Sequence, residues 1–220
     1  PYTSSAASDV YKRQTLKSLF EGIEKNLIRE LIISDGGSLD RTKIIANEVG
    51  AVFIAGTRGR GMQIKRGIEK SCGDWILVLH ADTSLFMGWS EKIFPKIDKK
   101  FAYYFKLKFK SKSFLSNILE IWVNLRSKVF DLPYGDQGLL IHCDLLTSIG
   151  GFPNLPIMED VALAGKLKSK FKPLNIIAQT SAKKYHEKGW LRQSLINFSI
   201  LIRFKLGQDA DLLYKIYYKS

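Results

Sequence analysis

Cysteine is scarce: the 220 residues hold two, Cys72 and Cys143, with no CxxC pair and no His/Cys cluster. That excludes a disulfide framework or a zinc-finger ligand set, and two free thiols are expected in a reducing compartment. Long apolar runs are missing too. No stretch of about 18 uninterrupted apolar residues occurs, and no apolar leader core stands at the start. Neither membrane spanning nor secretion is indicated, and a cytoplasmic protein is expected. Acid is in deficit, with 21 Asp+Glu against 34 Lys+Arg and a formal charge of +13. Such a surplus points to an anionic partner: nucleic acid, an acidic membrane surface or a phosphorylated substrate. A solvated basic surface accounts for it equally well.

What is present suits a globular domain. Hydrophobic residues make up 45% and charged residues 25%, enough for a sizeable core in one α/β domain. The first fourteen residues, PYTSSAASDVYKRQ, are small, polar and aperiodic, and are expected to form a disordered or foreign tail. Residues 15–220 are expected to form a single domain with a helical extension from about 189. From Thr15 two periods alternate: a helix to Asn26, a strand at Glu30–Ser34, a helix at Asp40–Glu48 and a strand at Ala51–Ala55. A helix at Gly61–Ser71 and a strand at Trp75–Leu79 follow. This order argues a mostly parallel sheet with helices on both faces, whose reactive groups sit at the carboxyl ends of strands. Further on, the spacing predicts a helix over 88–98 and a one-face-exposed strand over 101–110. Helices over 113–130, 159–170, 189–206 and 209–218 are predicted too, with strands over 138–142 and 173–178.

Chemistry-bearing residues cluster where these elements end. Asp35-Gly36-Gly37 follows the first strand; the glycines permit a sharp turn, and Asp35 can accept hydrogen bonds from a nucleobase or ribose. A turn and helix cap account for Gly36, Gly37 and Asp40 as well. Arg58-Gly-Arg60-Gly-Met-Gln63 precedes a helix N-terminus, a combination that favours phosphate, although such loops are often only flexible. His80-Ala-Asp82 ends an otherwise apolar strand, where an unpaired carboxylate is expensive unless it binds something. Asp82 is the candidate ligand for Mn2+ or Mg2+, with His80 either a ligand or a packing residue. Asp136-Gln137 between two glycines suits sugar hydroxyls, or simply a turn. Glu159-Asp160 opens an apolar helix; helix-dipole complementarity explains one acid, and the pair also offers a general base.

Taken in order, these segments resemble family 2 glycosyltransferases, and within them the radical-SAM/selenodomain-associated stand-alone bacterial subgroup. The segments are Asp35-Gly-Gly-Ser-Leu-Asp40-Arg-Thr42, Gly59-Arg-Gly-Met-Gln63, Leu79-His-Ala-Asp-Thr83, Pro133-Tyr-Gly-Asp-Gln-Gly138, Gly150-Gly-Phe-Pro153 and Met158-Glu-Asp160. Thr180-Ser-Ala-Lys-Lys184 and the apolar helix after Gly189 continue the likeness. The resemblance implies a GT-A fold, a nucleotide-sugar donor and inversion by direct displacement. It assigns Asp35, with Gly36, Arg60, Gln63 and Lys184, to the donor, and Asp82 with His80 to the metal. Asp160, with Glu159 beside it, becomes the base, and Asp136 and Gln137 line the sugar or acceptor site. The family's first strand has no visible counterpart, so it is expected to be missing or replaced. His80 stands where many relatives carry an acid, and Lys183-Lys184 where they carry an Arg-rich pair.

Two other readings compete. One is a nucleotide-binding protein without catalysis, either a truncation or a pseudoenzyme. The other takes the charge and the aromatic/basic segment 101–110 as a nucleic-acid surface, but acids at the strand ends oppose it, and no nucleic-acid partner is expected. A membrane role is compatible with the enzyme. Trp190, Leu191, Leu195, Ile196 and Phe198, interspersed with Arg192, Arg203 and Lys205, suit a helix lying in an anionic interface. Such a helix at the inner face of the plasma membrane would present a lipid-linked acceptor; packing on the domain explains it equally.

Overall fold

The computed structural model describes residues 6–93 and 96–219. Its first helix, α1 (Ala6–Glu24), starts inside the segment expected to be a disordered tail, and the expectation is corrected over residues 6–14. Residues 1–5 lie outside the described residues. Polar contacts, invisible to apolar periodicity, hold this part of the helix. Lys12 bonds Asp40 and Thr42, Arg13 meets Glu48 at 2.7 Å, and Gln14 accepts from Lys110 at 2.9 Å.

Short elements alternate next: β1 (Ile32–Asp35), α2 (Thr42–Glu48), β2 (Val52–Ala55), α3 (Arg60–Ile68) and β3 (Trp75–Val78). Asp40 takes the Thr42 N–H at 2.9 Å from just outside α2, whose N-cap position is Arg41, without a side-chain cap. Gly50, at φ +67°, ends it in a conformation that glycine adopts freely. Then come β4 (Thr83–Leu85), α4 (Trp89–Ile93), β5 (Ala102–Phe109), α5 (Phe114–Phe130), a 3-10 helix (Gly135–Gln137) and β6 (Leu139–His142). The remainder is α6 (Cys143–Ser148), α7 (Glu159–Leu167), β7 (Phe171–Thr180), α8 (Lys183–Lys188), α9 (Trp190–Lys205) and α10 (Ala210–Lys219). Of the predicted helix 88–98, residues 94 and 95 lie outside the described residues.

The sheet is mixed rather than mostly parallel. One five-stranded sheet runs β3-β6-β5-β7-β4, with only β5 and β7 parallel; β1 and β2 form a separate parallel pair. The first three strands, each followed by a helix, suggested parallel order, but β6 inserts antiparallel between β3 and β5. Periodicity locates strands without giving their direction.

Helices cover both faces of this sheet. On one, Ala102, Tyr104, Leu139 and Ile141 pack with Leu163 and Leu167 of α7, Ile200 of α9 and Leu213 of α10. On the other, Tyr103, Phe105 and Leu140 pack with Leu19 of α1 and Trp89 and Ile93 of α4. Alternation along β5 and β6 thus feeds two cores at once. The predicted one-face-exposed strand 101–110 is therefore buried on both faces, except at Lys106 and Lys108.

No described strand lies between β1 and β3. A cleft of about 1210 Å³ separates them, lined by both strands together with Leu16, Leu19, Ile64 and Ile68. Among the described residues, no helix is long and apolar enough to cross a membrane, and Cys72 and Cys143 are free thiols.

Candidate functional site

Three ends of the fold converge. Asp35 closes β1 and is 7% exposed; its Oδ2 accepts the Gly37 and Ser38 N–H groups at 2.8 and 2.7 Å. The His80–Asp82 turn after β3 is fixed when Thr83 N donates to the His80 carbonyl at 3.0 Å and β4 pairs with β7. Asp35, Arg60, Gln63 and His80 all line the mouth of the β1–β3 cleft.

The N-terminus of α3 brings the third end in. Arg60 N donates to the Pro156 carbonyl at 3.2 Å and Gly61 N to that of Leu155 at 2.9 Å. A Cβ on Gly61 would stand 2.5 Å from the Pro153 and Leu155 carbonyl oxygens, so only glycine permits this approach. The docked loop delivers the start of α7, where Glu159 and Asp160 face Arg60. Burial disfavours the Arg60 charge, but Glu159, Tyr218, Tyr217 and Asp160 more than offset it and raise its pKa.

Glu159 is 1% exposed, and neither of its oxygens has a hydrogen-bond partner among the described residues. Burial first, then repulsion from Asp160, raises its pKa and favours the protonated acid. Asp160 is more open. Its Oδ2 accepts from Gly135 N at 3.0 Å and its Oδ1 from Val161 N at 2.8 Å. Next to it Asp136 is raised to about 6 by burial, although Arg126 opposes the shift. Asp160 and Asp82 add repulsion to Asp136, which places it within reach of both.

His80 is half-buried, and its pKa is lowered to about 3 by desolvation and by the charges of Arg60 and Lys184. Its Nε2 has no hydrogen-bond partner among the described residues and lies 2.5 Å from where a Cβ on Gly135 would stand. His80, Gly135, Glu159 and Asp160 share the lining of a small cavity of about 30 Å³. Burial raises the Asp82 pKa, while Lys184, Arg60 and Lys110 pull it down. Lys184, whose side chain keeps access to solvent, is lowered to about 8 by desolvation from the surrounding protein and by Arg60. A neutral imidazole nitrogen without a partner and a carboxylate under three cations form a donor pair suited to a divalent ion beside a diphosphate.

The structure brings together Arg60, His80, Asp82, Asp136, Glu159, Asp160 and Lys184, with Asp35 at the other end of the same rim. Two of the expected residues are engaged by hydrogen bonds within the protein. Gln137 is 0% exposed; its Oε1 accepts from Ser127 Oγ at 2.5 Å and its Nε2 donates to the Phe105 carbonyl at 3.3 Å. It anchors the 3-10 helix instead of reading sugar hydroxyls. Gln63 donates to the Ser34 carbonyl at 3.0 Å and accepts from Gly59 N at 3.3 Å, so its amide clamps the Arg58–Arg60 loop to β1. Gly36 packs on that amide: a Cβ there would meet Gln63 Oε1 at 2.9 Å.

Several site residues were not expected. Arg126, buried in α5, stacks its guanidinium 3.4 Å over the Tyr134 ring. Tyr217 and Tyr218 at the end of α10 cover the cations: Arg58 lies 5.4 Å from the Tyr218 ring, and Arg60 and Lys184 lie 5.9 and 5.6 Å from that of Tyr217. Aromatic pairs at a helix end give no sequence signal for a site assembled from distant segments. The sequence also showed no His/Cys cluster, yet His142, Cys143 and Asp144 place donor atoms within 4.8 Å of one another. His142 Nδ1 there accepts the Asp144 N–H at 3.1 Å, which caps α6.

Comparison with known proteins agrees with this geometry. The family model "Glycosyl transferase family 2" matches residues 11–135, more than half of the chain. A TPR repeat-containing protein of Synechococcus elongatus is 41% identical over 70 residues, 30% of this chain and 17% of its own length. S. aureus TarS 1–349, solved with UDP, superposes with a TM-score of 0.57 at 16% identity, over 82% of this chain and 60% of that one. Glucosyl-3-phosphoglycerate synthase of Mycobacterium tuberculosis, solved with Mn2+, UDP-glucose and phosphoglyceric acid, gives 0.50 at 19% identity, over 74% and 65%. This chain therefore spans a small part of that curated relative and under two thirds of each superposed structure. The architecture is that of GT-A glycosyltransferases, and the chain belongs to glycosyl transferase family 2.

Proposed function

We propose that this chain is an inverting, metal-assisted glycosyltransferase that moves a sugar from a nucleotide-diphosphate donor to an acceptor hydroxyl, with Asp160 as the base. One observation carries the reading: Asp160 is held by two backbone N–H groups beside the buried Glu159 and within reach of the Arg60 charge. Its carboxylate takes the acceptor proton while the new C–O bond forms at the anomeric carbon. The bond to the diphosphate oxygen breaks on the opposite face, and the nucleoside diphosphate leaves with its electron pair. Arg60 and Lys184, preset at the rim, stabilise charge developing on the leaving group.

His80 and Asp82 would hold Mn2+ or Mg2+ through one imidazole nitrogen and one carboxylate oxygen. The metal would supply further charge neutralisation at the diphosphate. The relatives solved with UDP, UDP-glucose and Mn2+ support this choice of donor and ion. Asp35, beside the Gly36-Gly37 turn, would accept from the nucleoside, with Gln63 and Gly36 shaping its loop. Asp136, raised to about 6, lines the side from which the acceptor enters. In this reading the chain belongs to the radical-SAM/selenodomain-associated bacterial subgroup. It works at the inner face of the plasma membrane on a lipid-linked acceptor, and the exposed apolar residues Leu191, Leu195 and Phe198 of α9 support that.

Calorimetry with a panel of nucleotide sugars tests the donor assignment. Binding should require Mn2+ or Mg2+ and fall at least tenfold in Asp82→Asn; metal-independent binding, or none, removes it. A second reading, a nucleotide-binding protein without turnover, draws on the open cleft beside β1. Metal-dependent binding with no acceptor-dependent release of nucleoside diphosphate would favour that reading.

A further inference from the structure

α5 is built inside out. Two of its polar residues turn towards the sheet: Glu120 Oε1 accepts from Phe109 N at 2.7 Å, and Asn124 pairs with both backbone groups of Leu107 at 3.0 and 3.1 Å. They satisfy the part of β5 that β6 does not pair with, since the β5–β6 register is confined to Tyr103 and Leu140. Apart from Leu119 and Val123, its large apolar side chains point the other way. Phe114, Ile118, Ile121, Trp122, Leu125 and Val129 recur at helical spacing and are all exposed, Phe114 by 75% and Ile121 by 69%. Single exposed leucines are ordinary, but a continuous stripe of this length on one helix marks an interaction surface.

Charge identifies the occupant. α9 adjoins α5 through a shared cluster of Leu119, Val123 and Trp190. It carries a second exposed stripe, Leu191, Leu195, Phe198 and Ile202, continued by Leu206. The exposed charges on the two helices are Lys128, Arg192, Arg203 and Lys205. Glu120, the one acid in either helix, is turned inward onto β5. Apolar stripes edged by cations of one sign complement an anionic lipid surface. A second copy would bring the same positive edges together, and this chain already carries +13.

We infer that α5, with α9 beside it, is the membrane-docking face of this protein, inserting its apolar stripe into an anionic lipid surface. This rests on the membrane reading above and deepens it by naming α5 as the face that docks. Docking needs neither nucleotide nor turnover, so it can fail while the enzymatic reading stands, and the reverse.

The test is flotation of the full chain with vesicles of phosphatidylcholine alone or with about 30% phosphatidylglycerol. The protein should float with the anionic vesicles and not with the neutral ones. Ile118→Glu combined with Val129→Glu should reduce flotation at least tenfold while leaving circular dichroism and nucleotide binding unchanged. Quenching of wild-type fluorescence by brominated lipid, diminished in Trp122→Phe, should report insertion independently of how the double variant folds. Failure of the wild type to float with anionic vesicles overturns the inference, as does equal flotation of the double variant. So does a concentration-dependent dimer, seen without lipid, that the same substitutions abolish.

Discussion

The N–H of Gly135 donates to Asp160 Oδ2 at 3.0 Å, and a Cβ on Gly135 would stand 2.5 Å from His80 Nε2. One glycine thus spaces the proposed base from the proposed metal ligand. Gly135→Ala must displace the imidazole or the 3-10 helix. It is expected to weaken metal-dependent donor binding and to lower transfer by about tenfold or more. Calorimetry and a transfer assay on the same preparation check both; unchanged values in both would remove the spacing role.

Glu159 gives a signed pH dependence. Its folded pKa, about 8, lies above the ordinary 4.5, so the folded state binds the extra proton in between. Stability contributed by this group therefore falls as pH rises from about 4.5, and levels off above about 8. Urea unfolding at pH 6 and pH 9 should show the loss in wild type and a flatter profile in Glu159→Gln. Equal slopes for the two proteins would contradict the buried, protonated acid.

Lys184, lowered to about 8, loses its charge just above neutrality. If it serves the diphosphate, the donor KM should rise by up to about tenfold between pH 7 and pH 9. Lys184→Met should raise KM at pH 7 and abolish the rise. A variant that retains the wild-type pH profile would assign the effect to another group.

Gly61→Ala inserts a methyl group against two carbonyl oxygens of the 153–156 loop. The loop must retreat and carry Glu159 and Asp160 away from Arg60. A loss of about 1–3 kcal/mol in stability is expected, with a larger fractional loss of transfer than of nucleotide binding. Thermal unfolding and steady-state kinetics measure the two effects separately.

Much of this was legible in the chain, for identifiable reasons. Buried strands such as Trp75–Val78 announce themselves as apolar runs, and acids at their ends, such as Asp82, stand out because burial penalises charge. The roles of Gln63 and Gln137 were not legible. A glutamine beside glycines looks the same whether it faces a ligand or the Phe105 carbonyl. Strand direction escaped because β6 reverses after a long helix, and the early part of α1 escaped because Lys12 and Arg13 hold it by ion pairs. The inverted polarity of α5 was hidden for a related reason: an apolar stripe at helical spacing normally faces a core.

The central claim is that Asp160 accepts the acceptor proton while Asp82 and its neighbours hold the donor. Acceptor-dependent release of nucleoside diphosphate, compared between wild type and Asp160→Asn with donor binding measured alongside, tests it most directly. The account predicts a drop of about 10²–10⁴-fold in transfer with donor affinity retained. Normal transfer by Asp160→Asn would contradict it.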